Sequence, residues 1–314
     1  MNKLSNYILK VTCFVITALF ISCEQKNLYQ NFAYTTEIQV VFDWKYAPNV
    51  APETMRLYLF PLNGGKPQTY EFTDYRGGRI HVPVNRYRAL CVNSDTESIL
   101  YRNIDLFDHF EAYAPDGVLH ARSSSVPRAQ GTANERIVKS PDYLYSASLD
   151  DVTIEFSKKI QTVILFPEQS VCRYRVEIRN VSNLEYISAD GISGALSSMS
   201  GGLLVGRREL SPSPVTVPFE IYPHGVSTLK ANFLVFGRVR SMELTNKLVV
   251  YVIMTDGSKS YYTFDVSRQI AEAANPYDVY ILLDGLPLPK PITNGDGFHP
   301  EIDEWQDIEV DVPM

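Results

Sequence analysis

The stretch RYRVEIRNV, residues 173–181, decides the fold. Tyr174, Val176 and Ile178 fall on one parity, and Arg173, Arg175, Glu177 and Arg179 on the other. A period of two marks an extended strand, and the charged parity marks a face turned to water.

The pattern recurs in both directions from there. On the N-terminal side, residues 38–44 (IQVVFDW), 55–60 (MRLYLF), 79–83 and 87–93 (YRALCVN) read as strands, with Gly64-Gly65 and Gly77-Gly78 as turns. In residues 55–60, Met55, Leu57 and Leu59 share one parity against Arg56, Tyr58 and Phe60. Residues 114–142 are rich in Pro, Ser, Gly and Arg and read as a long loop. On the C-terminal side, 152–156, 161–166, 215–222, 229–236 and 279–283 are further strands. Residues 248–254 (LVVYVIM), Asp256-Gly257 and 261–266 form the clearest hairpin, because Asp-Gly supports the positive φ of a tight turn. Ser267 is placed to cap a short helix over 268–274, stopped by Asn275-Pro276.

Many short strands separated by turn signals, with little helical periodicity, imply an all-β chain. The length suits two tandem β-sandwich domains, expected over 37–148 and 149–288, followed by an acidic tail over 289–314. In the tail Ile308, Val310 and Val312 alternate with Glu309 and Asp311, which reads as a terminal strand. That strand could pair with another subunit's open sheet edge, or close the sandwich of its own second domain.

Residues 1–22 read as a lipoprotein signal peptide. Lys3 and Lys10 precede an uncharged apolar run, residues 11–21, and Ser22-Cys23 follows. A helix of that length spans about half of a ~30 Å hydrocarbon core, too little for a transmembrane segment. Cys23 is the expected lipidation site, and residues 23–36 the lipidated tether. Two or three acyl chains make a physically adequate anchor where one binds only marginally. The net charge of −7, with Lys and Arg scattered, argues against nucleic acid as a partner. Cys91 and Cys172 both lie in strand-like runs; two buried, unpaired thiols are the preferred reading and a disulfide the alternative.

The residues offer no catalytic constellation, metal site or cofactor site. None of the five His has another His or a Cys three or four residues away. Gly191-Ile192-Ser193-Gly194 lacks the second spacer of a nucleophile elbow and reads as a turn. The tail carboxylates with Asn294 to Gly297 do not have EF-hand spacing, so a solvated acidic face is expected rather than Ca²⁺. Trp44, in an apolar run, is expected in the core. Trp305, among carboxylates, is the candidate for ligand stacking.

Three stretches carry a resemblance. They are VVFDWKYAPNVAPETMRLYLFPLNGG (40–65), RYRVEIRNVSNLEYISADGISGALSSMSGGLL (173–204) and LLDGLPLPKPITNGDGFHPEIDEWQDIEVDVPM (282–314). They resemble a family of Bacteroidetes lipoproteins of unknown function, related to the fimbrillin-like proteins and the minor-fimbrium anchor subunits. The resemblance implies two transthyretin-like β-sandwich domains on a lipid anchor at the outer membrane. It also implies a non-enzymatic, accessory or anchor-like part in fimbriae or cell-surface adhesion, with fimbrial subunits as partners by strand addition. The alternative is a surface glycan-binding lipoprotein in nutrient capture. The family carries no catalytic residues to transfer.

Overall fold

The structure, a computed structural model, describes residues 34–119, 126–239, 244–291 and 305–309. Cys23, Val310 and Val312 lie outside them, as do the signal peptide and Asn294 to Gly297.

The fold is all-β, as the alternation requires. Strand Cys172–Ser182 buries Tyr174, Val176 and Ile178 and turns its arginines outward. It is an inner strand of a four-stranded sheet in the order Tyr222–Pro223, Leu229–Val235, Cys172–Ser182, Asp278–Pro287. Its partner Leu229–Val235 runs antiparallel and Asp278–Pro287 runs parallel. Facing it is a six-stranded sheet in the order Trp305–Glu309, Lys259–Asp265, Lys247–Met254, Ile187–Ser200, Pro214–Glu220, Arg136–Ile137. Ile281 and Leu283 of the first sheet share one core with Val250, Val252 and Phe264 of the second.

The other sandwich packs a three-stranded sheet, Gln161–Leu165, Thr35–Phe42, Gly77–Pro83, on a five-stranded one. The five run in the order Glu168–Gln169, Tyr145–Ile154, Asn85–Asn93, Met55–Pro61, Gln68–Phe72. Ile38, Val40, Met55, Leu57, Ala89 and Ile154 fill its core. Trp44 is buried there, as its apolar run suggests: its Nε1 donates to Tyr75 O at 2.7 Å, and its ring meets Tyr145 edge-on.

The pairing crosses the boundary expected between 148 and 149. Strand Gln161–Leu165 runs parallel to Thr35–Phe42 and so belongs to the first sandwich. In the other direction, Arg136–Ile137 joins the six-stranded sheet of the second. Leu100–Arg102 and Glu111–Tyr113 form a small sheet with Gly202–Leu204 and Glu209–Leu210. Alternation tells which way a side chain faces; it does not tell which strand lies alongside.

This small sheet lies over the first sandwich. Tyr58 and Phe60, on the parity opposite the inner core, are buried as well: Phe110 meets Tyr58 at 4.8 Å and Phe107 meets Phe60 at 5.4 Å. Across the same joint, the Arg208 guanidinium donates to Ser148 O at 3.2 Å.

Gly191-Ile192-Ser193-Gly194 is not a turn. All four residues lie within strand Ile187–Ser200. A Cβ on Gly194 would sit 2.4 Å from the Phe219 ring, which is itself stacked at 4.0 Å on Phe233. Gly194 makes room for aromatic packing, whereas Gly191 makes room for Ser188 and the Ile253 carbonyl. Ser267 is likewise not the cap of its helix, Ser267–Ala271. Its hydroxyl accepts from Asn246 N at 2.8 Å, while Asp265 Oδ1 accepts from Ser267 N at 2.9 Å.

Candidate functional site

The hairpin legible in the sequence forms as expected, with Gly257 at φ +84° in its turn. It carries the C-terminal edge of the six-stranded sheet. Trp305–Glu309 pairs in parallel with Lys259–Asp265, setting Trp305 opposite Lys259 and Ile308 opposite Tyr262. The tail strand therefore pairs with its own second sandwich. Ile308 packs against the main core, where Tyr262 is fully buried and its Oη donates to Pro287 O at 3.0 Å.

Trp305 and Asp307, on the other parity, turn to the outer face. Trp305, partly buried, meets Tyr251 edge-on at 5.6 Å. Burial pushes the Tyr251 phenol well above its ordinary range, and its Oη donates to Pro127 O at 2.8 Å. Burial first, and then the neighbouring Asp307 carboxylate, raise the Tyr261 phenol. Of the residues singled out from the sequence, Trp305 and Ile308 thus share one strand and face opposite ways. Trp305 is engaged by the protein's own aromatic on at least one side.

The outer face is covered by a strap, residues 126–135, which the composition presents only as loop and which runs into the edge strand Arg136–Ile137. Lys247 Nζ donates to Gln130 O at 2.7 Å, and Arg128 donates to Ala133 O and Glu135 O, both at 2.6 Å. Glu135 is a buried carboxylate held by three donors. They are Ser198 N at 3.1 Å, Ser198 Oγ at 3.1 Å and Thr216 Oγ1 at 2.7 Å. Ser198 can reach it because the sheet register shifts between Leu196 and Met199, with Ser198 at φ +60°. Asn246 Nδ2 donates to Ser197 O and Ser198 O, both at 3.2 Å. The space beneath the strap, beside Thr132, Ser197 and Lys247, holds about one water molecule. This cluster fixes a bulge and a strap in place.

A sequence signal for the strap exists. Residues 248–254 are apolar on both parities, which means that both faces of the strand are covered.

Among the described residues no group of three or more His, Cys, Asp or Glu is placed to hold a metal ion. No described helix is long and apolar enough to cross a membrane. Cys91 and Cys172 are buried free thiols, pushed up by burial to about 12 and about 11. What the architecture offers is sheet edges and surfaces.

The profile of a domain of unknown function, DUF5119, matches residues 22–220. The chain belongs to the DUF5119 family. This DUF5119 chain is 25% identical over 307 residues to a candidate fimbrium anchoring subunit, Fim4B, of Bacteroides ovatus. The match covers 93% of this chain and 85% of that one. Among solved structures, a candidate adhesin from Bacteroides ovatus superposes with a TM-score of 0.61 at 23% identity, over 93% of this chain and 98% of that one. A candidate adhesin from Bacteroides thetaiotaomicron superposes with a TM-score of 0.54 at 10% identity, over 82% and 93%. The DUF5119 chain therefore shares the β-sandwich fold of these candidate adhesins, the fold class that the resemblance read from residues 40–65, 173–204 and 282–314 implies.

Proposed function

We propose that this chain is a non-enzymatic accessory or anchor-like subunit of a fimbrial or adhesive structure, held at the outer membrane by lipid on Cys23. The observation that carries the reading is similarity over nearly the whole chain to a fimbrium anchoring subunit. The fold is consistent with it: the described residues form sheets with open edges. Strand pairing between subunits needs only an open edge and matched apolar parity. Strand Trp305–Glu309 supplies the open edge, and the apolar parity of Ile308 recurs in the sequence at Val310 and Val312.

Affinity capture of the tagged full chain from cells that assemble fimbriae tests the role. Fimbrial subunits should co-purify in stoichiometric amounts; their absence, with the chain correctly exported, rejects it. For the anchor, Cys23→Ala should leave membranes and take up no labelled palmitate. A variant that fractionates and labels like the parent rejects lipid on Cys23.

A further inference from the structure

Five large apolar side chains are exposed at one end of the first sandwich: Tyr34 (79% exposed), Leu62, Val84, Phe156 (72% exposed) and Ile160. The backbone brings them together. Val84 N donates to Tyr34 O at 2.7 Å, and Leu62 N donates to Arg86 O at 2.9 Å. Asn85 pairs with Ile154, the last residue before the turn that carries Phe156 and Ile160. That turn closes where Glu155 N donates to Gln161 Oε1 at 3.3 Å, and Gln161 lies opposite Ile38, three residues into the first strand. Lys66, Lys158 and Lys159 are exposed at the same end, opposed within the turn by Glu155. Arg86 is held by Asp151 at 2.6 Å.

We infer that this end is a contact surface for an anionic lipid bilayer. Phe156 enters the interfacial region, and Lys158 and Lys159 meet headgroup phosphates. The inference rests on the reading that Cys23 carries lipid. The ten residues between Cys23 and Tyr34 span at most about 35 Å when fully extended. They deliver the body to the membrane by Tyr34, which is itself part of the apolar end. The residues farthest from the tether gain nothing from this proximity, whereas the Tyr34 end meets the bilayer at high effective concentration. An apolar tip flanked by lysines matches the chemistry of an interface with negatively charged headgroups. Together, tether and tip would set the orientation of the sandwich on the membrane, where the tether alone would leave it free to tumble.

The test uses the mature chain carrying Cys23→Ser, so that no lipid contributes. It is mixed with vesicles of phosphatidylcholine, alone or with one-third phosphatidylglycerol, and separated by flotation. Binding to the anionic vesicles that weakens with salt is expected. The pair Lys158→Glu and Lys159→Glu should lower partitioning about 25-fold or more, each lysine near the surface being worth about fivefold. Phe156→Trp should show a blue-shifted emission component, quenched by brominated acyl chains, beyond the parent's Trp44 and Trp305 background. The inference is overturned if the parent floats with neither vesicle, if the lysine pair changes nothing, or if the new Trp reports water throughout. It is also overturned if the tip variants float as the parent does and lose instead a protein partner captured from the envelope. Palmitate labelling of the unaltered chain separates the two ideas. Label without flotation removes the contact surface and leaves the anchor; flotation without label does the reverse.

Discussion

The Gln269 carboxamide pairs with Leu282 as a neighbouring strand would: Nε2 donates to Leu282 O at 3.0 Å, and Leu282 N donates to Oε1 at 2.9 Å. Leu282 sits midway along Asp278–Pro287, the outermost strand of its sheet. One side chain from the short helix Ser267–Ala271 therefore blocks the centre of an open edge. Such edges recruit other strands unless something blunts them. Gln269→Ala should cost about 1–2 kcal/mol by leaving two backbone groups without a protein partner. It should also promote concentration-dependent self-association, read by sedimentation velocity. A variant as monomeric and as stable as the parent would sink this account.

Glu135 makes a second, ordered prediction. Its carboxylate is buried and accepts from Ser198 and Thr216. Removing it leaves those donors stranded under the strap, so Glu135→Ala should cost about 3 kcal/mol or more in urea unfolding. Glu135→Gln keeps the volume and one acceptor oxygen and should cost less. Equal losses in the two variants would mean that shape, and not hydrogen bonding, holds the strap.

The thiols predict a chemical silence. Cys91 and Cys172 are buried, and burial holds them at about 12 and about 11. At neutral pH neither forms an appreciable thiolate, the reactive species. In the Cys23→Ser mature chain, a disulfide reagent should titrate no thiol in the folded state and both after denaturation. Fast labelling of either under native conditions would contradict the packing.

Asp278 sets a pH dependence. Hydrogen bonding from the Arg173 guanidinium, 2.6 Å away, holds its carboxyl below the ordinary carboxylate value despite some burial, with Arg175 assisting at 3.0 Å. A depressed folded-state value stabilises the protein fully above the unfolded value of ~3.9, and the effect fades as pH falls through the folded value. The parent should therefore melt higher than Asp278→Asn at about pH 6, with the gap closing below about pH 4. The group is partly solvated, so the gap should amount to a few degrees at most. A gap independent of pH would assign the effect to geometry.

The strands themselves were legible because their side chains alternate. Tyr174, Val176 and Ile178 announce a buried face, and the structure buries all three. Partnership was not legible. Gln161 pairs with Ile38, more than a hundred residues earlier, and nothing local to either strand encodes that. The strap was hidden for a different reason: it is held by its backbone carbonyls and by Glu135, so its own composition is that of any polar loop. The cover is recorded instead in the strand beneath it, where Val249 and Tyr251 are buried on the face that alternation alone would leave wet. In the tail, Ile308 was visible as the apolar parity, but whose sheet it joins depends on the edge offered by Lys259–Asp265.

Strand Thr35–Phe42 is flanked on both sides, by Gly77–Pro83 antiparallel and by Gln161–Leu165 parallel. It is also the first described strand after the N-terminal segment. A pull directed along the strand's axis loads both rows of hydrogen bonds at once, in shear, instead of peeling them one by one. A subunit held by its N-terminus and drawn outward would take that load first on this inner strand, where two neighbours share it.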